Sequence, residues 1–161
     1  MAATVTIRVN TGAGAGTESP AVSGIDLISA DNATNSQANR AAYPITAGQK
    51  SYEKWLTARV DVAPDNNVSN FQFWGDGTFQ SSTHLFVGKN SAGVTPTSVD
   101  SAYATNNMTN YTSGNKFAWH ATNMTGVGST TDFLVLQLDV DADASPGDWT
   151  QETLYYSYDE S

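Results

Sequence analysis

An all-β fold, a two-sheet antiparallel β-sandwich, follows from three observations. Short runs alternate apolar and polar residues, Gly, Pro, Asn and Asp cluster between those runs, and no longer segment repeats apolar residues at helical spacing. The winding is that of a jelly roll or an immunoglobulin-like domain. The 161 residues form one domain, 1–161, large enough to bury a core of its own.

Ala3, Val5, Ile7 and Val9 alternate with Thr4, Thr6 and Arg8, so the first strand begins almost at Met1. Residues 1–10 are expected to serve either as a strand of the sheet or as an arm that docks on a neighbour by strand addition. The glycines of Thr11-Gly-Ala-Gly-Ala-Gly16 end this run. They make a flexible loop rather than a phosphate cradle, because no Gly-Lys-Ser/Thr and no helical pattern follows. Ile25–Ser29 reads as a second strand, and Asp31–Arg40 as a polar loop.

The run Ser51–Val62 carries Tyr52, Leu56, Ala58, Val60 and Val62 on one face and Glu53, Trp55, Thr57, Arg59 and Asp61 on the other. One side should meet a core and the other solvent or a partner. Pro64-Asp-Asn-Asn67 is strong turn chemistry. Val68–Trp74 then reads as the returning strand of a hairpin. His84–Val87 and Lys116–Ala121 are further strands, while Ser98–Tyr111 is irregular or a short helical turn. Phe133–Val140 and Trp149–Tyr158, joined by Asp141–Asp148, read as a closing hairpin, with Leu134, Leu136, Leu138 and Val140 on the core side. The count is about eight strands.

Composition removes several classes of function. Sixteen acidic and seven basic residues leave a net charge of −9, against a nucleic-acid partner and against an anionic membrane surface. With no cysteine, disulfides, thiolate chemistry and Cys-held metals are excluded. Met1-Ala-Ala-Thr-Val-Thr-Ile7 does not read as a secretory leader, and no long apolar run reads as a membrane span.

The candidate chemistry is thin. Asp139, Asp141 and Asp143 start with the Asp-x-Asp-x-Asp spacing of a calcium loop. The pattern then lapses, with Ala144 where glycine is required and Thr150 where the bidentate Glu belongs. A solvated turn is the better reading, so no cofactor is expected and calcium is the minor alternative. His84 and His120 have no serine or carboxylate at a spacing that suggests catalysis. Asn32, Asn67, Asn107, Asn110 and Asn123 open glycosylation triplets in a chain rich in Asn, Ser and Thr, where several arise by chance. Aromatic residues carry more information. Trp55, Trp74, Trp119 and Trp149 with Tyr155 are candidates for a sugar-stacking platform, for a protein interface or for plain packing. The interface set is Trp55, Arg59, Trp74, Trp149 and Tyr155, with Trp55 singled out by its place on a polar strand face.

Two stretches resemble virion structural proteins of tailed viruses of bacteria or archaea: Ser51–Val60 followed by Val68–Gly77, and Asp132–Leu138 continuing through Ala144–Gly147 to Tyr156–Glu160. The likeness covers about a third of the chain and transfers no functional residue. It implies a capsid-decoration, head-to-tail or tail component, located in the virion and without enzymatic activity. It further implies contacts with a major capsid protein or other virion protein, and self-assembly or binding as lattice-bound copies. A carbohydrate-binding or adhesion module is the alternative.

Overall fold

Thr4–Thr11 (β1) lies inside a sheet, bonded to a strand on each side. The computed structural model describes residues 2–21, 24–77, 79–145 and 151–161. Following β1 come Thr17–Pro20 (β2), a helix at Gln37–Ala42 (α1), Lys54–Val62 (β3), Val68–Gly75 (β4) and Thr83–Asn90 (β5). Asn106–Asn107 (β6), Phe117–His120 (β7), Phe133–Val140 (β8) and Leu154–Glu160 (β9) complete the set. They form two antiparallel sheets, a six-stranded one in the order β2-β1-β3-β8-β5-β6 and a three-stranded one in the order β7-β4-β9. The all-β sandwich expected from the sequence is the observed fold.

Register explains the core. Val5, Ile7 and Val9 lie opposite Val60, Ala58 and Leu56, Leu56 lies opposite Leu134 of β8, and Leu136 and Leu138 carry the apolar surface on to Val87 and Leu85. Phe71, Phe73, Phe117 and Trp119 of the small sheet complete the same core cluster. Trp119 is fully buried, and its indole N–H donates to the Asp132 carbonyl at 2.8 Å. Its ring meets Phe71 and Phe73 edge-on at 6.1 and 6.3 Å. Each such large side chain contributes about 2–3 kcal/mol through the surface it removes from water.

Both expected hairpins are absent. β3 and β4 belong to different sheets, and so do β8 and β9. Alternation reports that a strand has one apolar face, but two strands facing the same core from opposite layers carry that pattern as well as two neighbours in one sheet do. Residues 63–67 therefore cross between layers instead of turning back. The expected strand at Ile25–Ser29 is an extended segment outside both sheets. Tyr52 N–H bonds the Ile28 carbonyl, and Ser29 N–H bonds that of Tyr43. Within the expected loop 31–40, Ser36 accepts a bond from Asn39 N–H at 3.1 Å and starts α1. Within residues 2–10, Thr4–Asn10 pair with β3 and Arg8–Asn10 also with β2, so this run is a strand of the sheet.

A second correction concerns the outer face of the large sheet. Residues 91–105 run across it as a strap over a separate small core of Ala15, Trp55, Ala104 and Val135, with Phe86, Tyr103 and Phe133 packed around it. Trp55 is fully buried there, edge-on to Tyr103 at 5.3 Å and to Phe133 at 5.4 Å. Its polar-strand position thus leads under the strap rather than toward a partner.

Close approach of the strap requires glycine beneath it: a Cβ on Gly88 would stand 1.7 Å from the Tyr103 carbonyl oxygen. Gly88→Ala is expected to cost about 3 kcal/mol by lifting the strap, read as a lower midpoint in urea denaturation.

Candidate functional site

Polar groups pin the strap to the sheet. Glu53, 2% exposed, accepts the indole N–H of Trp55 at 2.9 Å, the Thr97 backbone N–H at 3.3 Å and the Ser101 hydroxyl. Gln137, equally deep, donates to the carbonyls of Val99 and Ser51 at 2.8 and 3.1 Å and accepts from Ser101 N–H at 3.0 Å. Every atom of this set has a partner, so its arrangement holds the strap in place. Sequence alternation placed Glu53 on a solvent or partner face, and nothing local announces that the face is roofed.

The open part of the outer face is charged. Arg8 donates to both oxygens of Asp61 at 2.8 and 3.0 Å, and Arg59 pairs with Glu18 at 2.6 Å. The Thr6 hydroxyl bonds Asp61 at 2.5 Å. That bond, with Arg8 and Arg59 nearby, holds the Asp61 carboxyl below the usual carboxylate range despite partial desolvation. Arg59, expected at an interface, thus lies on an accessible face within an internal ion-pair set.

The three aspartates considered for calcium are not assembled into a ligand group. Asp139 is paired with Lys50, and Asp141 faces His84 at 3.4 Å. Asp143 lines a depression of about 120 Å³ together with Gln80, Ser81, Ser82 and Thr83, which holds no histidine. Among the described residues, no group of three or more His, Asp or Glu is placed to hold a metal ion. His120 packs beside Asp132 at 3.1 Å near the core, where its Nδ1 accepts the Asp132 backbone N–H at 3.2 Å.

The small sheet presents the remaining surface. Phe71 and Phe73 point inward, so Gln72 and Trp74 point outward; their neighbours on β9 are Ser157 and Tyr155, and Ala118 of β7 lies opposite Gln72. Trp74 and Tyr155 stack with ring centroids 5.7 Å apart and planes 14° from parallel. From the β7 side, the Lys116 ammonium stands 4.3 Å from the centre of the Trp74 ring. Since β7 and β9 flank β4 on opposite sides, Lys116 approaches that indole from one side of the strand and Tyr155 from the other. Tyr155 remains 43% exposed.

Of the five expected interface residues, the structure brings Trp74 and Tyr155 together, keeps Arg59 accessible on the other sheet and buries Trp55. Trp149 lies outside the described residues. No protein-family model matches the chain, and neither a curated protein nor a solved structure is found similar to it.

Glu53→Ala should cost about 3 kcal/mol, because the Trp55 indole and the Ser101 hydroxyl lose their buried acceptor, measured by denaturant unfolding. For Asp61 the sign follows from its lowered pKa: its contribution is complete above the ordinary carboxyl range and is lost as pH falls through the lowered value. Melting temperatures recorded from pH 7 to pH 2 should therefore fall less steeply at the acid end for Asp61→Asn.

Proposed function

We propose that this protein is a non-enzymatic structural component that works through protein–protein contacts on the outer face of its small sheet, as a protein decorating or stabilising a viral capsid would. The observation that carries the reading is the Trp74–Tyr155 pair, an aromatic patch on the layer that, among the described residues, no strap covers. Aromatic side chains with few rotatable bonds lose little freedom on docking and are enriched where proteins bind one another. Small or polar neighbours, Gln72, Ala118 and Ser157, suit a contact that must be soluble when unoccupied. The virion setting, with a capsid or other virion protein as partner, is supported by the resemblance of 51–77 and 132–160.

The same patch serves a sugar-binding function less well. A stacking platform needs an open ring face, and the Trp74 ring is already engaged by both Lys116 and Tyr155.

Mass spectrometry of purified virions is expected to find the chain. The double variant Trp74→Ala/Tyr155→Ala should keep its melting temperature within about 5 °C of the parent yet fail to load onto capsid shells in a cosedimentation assay. Unchanged loading would reject the reading, and selective glycan-array binding lost in Tyr155→Ala would replace it with the carbohydrate alternative.

A further inference from the structure

We propose that β9 is a docking edge that accepts an extended, basic segment of a partner protein as a fourth strand of the small sheet. The inference rests on the protein-contact reading above and specifies the partner's chemistry.

Three observations lead to it. First, β9 ends the order β7-β4-β9 and runs for seven residues, and among the described residues no strand pairs along its far side. The other edge strands are shorter, with four residues in β2 and in β7 and two in β6, and β2 and β6 cover only parts of β1 and β5. An unpaired row of N–H and C=O groups of this length is what strand addition requires.

Second, acidic groups stand at both ends of that edge. Glu152 precedes the strand with Asp76 close to it, and Asp159 and Glu160 are exposed at its end. Burial first, and then the Asp76 charge, push the Glu152 pKa upward, the response of a carboxylate with an acidic neighbour.

Third, the cations of the chain are committed elsewhere. Arg8, Arg40, Lys50 and Arg59 pair with Asp61, Asp26, Asp139 and Glu18. Lys54 is buried against the Asn32 carbonyl, Lys89 donates to the Ala118 carbonyl, and Lys116 lies on Trp74. Among the described residues no lysine or arginine is paired with Glu152, Asp159 or Glu160, so these three acids complement a basic segment of another molecule.

The same charges disfavour a second copy of this chain. Antiparallel pairing of β9 with β9 would set Asp159 and Glu160 of each copy near Glu152 of the other, and parallel pairing would align like ends. A basic strand meets opposite charge at both ends, and its outward side chains flank Tyr155. The bland explanation, that acids on an edge merely prevent aggregation, predicts an edge that binds no strand at all.

The probe is an acetylated and amidated peptide of sequence Lys-Thr-Val-Thr-Val-Thr-Lys, titrated into the 15N-labelled protein at low salt. Amide shifts should concentrate on β9 and β4, and affinity should drop about tenfold on raising salt to 0.15 M. Replacing the central Val of the peptide by Pro, or both Lys by Glu, should abolish binding. Asp159→Lys/Glu160→Lys, with an unchanged amide spectrum away from the substitutions, should lose the basic peptide and gain the acidic one. No shifts along β9 with the basic peptide, or equal binding of the acidic peptide to the parent, would overturn the inference. If that happens while Trp74→Ala/Tyr155→Ala still fails to load onto shells, the edge assignment alone falls. If the peptide binds and the double variant loads normally, the edge stands and the aromatic face is withdrawn.

Discussion

The constraint on which the rest depends is that the two central strands of the large sheet, β3 and β8, carry apolar side chains on the outer face, Trp55, Phe133 and Val135, as well as on the inner one. One face meets the small sheet. The other needs a cover, and residues 91–105 supply it, fastened by Glu53 and Gln137. A strap of irregular backbone over a sheet leaves peptide groups to satisfy, and these two buried side chains, with the Glu53 amide donating to the Thr97 carbonyl at 2.8 Å, meet that need. Gly88 and Gly93 make it geometrically feasible, since a methyl group at either would overlap a carbonyl of a neighbouring segment.

From that covering follows the asymmetry of the molecule. The six-stranded layer hides its apolar outer half beneath the strap and occupies the rest with the ion-paired Arg8, Arg59, Glu18 and Asp61. The three-stranded layer has no such roof among the described residues. Its outward positions hold the stacked Trp74 and Tyr155, and its last strand has a side without a partner among the described residues. Surface with both aromatic area and unspent backbone bonding is thus concentrated on the small layer, and for that reason the functional reading is placed there.

Local patterning carried the strands at 4–11, 54–62, 68–75, 83–90, 117–120 and 133–140, because period-two alternation is a property of a short stretch read alone. Pairing was not legible in the same way. The order β1-β3-β8-β5 joins residues far apart in the chain, and nothing in the 63–67 or 141–153 connections distinguishes a return from a crossing. The near-continuous apolar run of β8 was a sign of burial on both sides, to be weighed against the alternation that it also contains. For the site, Trp74 and Tyr155 could be picked by residue type. Their stacking depended on the β4–β9 register, and the hiding of Trp55 depended on a strap with no signature of its own.

The crossing connections also bear on how the chain reaches its native state. From β3 onward, only β5 to β6 stays within one sheet, so neither layer is a contiguous stretch of sequence and neither is complete early in synthesis. The small layer waits for residues 154–160, which are also the open edge. Most stabilising contacts must therefore form together, late and over long loops, the kinetic regime of slow, high-contact-order β-proteins. The strand assigned to a partner is also the one whose arrival closes the fold, so an immature chain has no finished edge to offer.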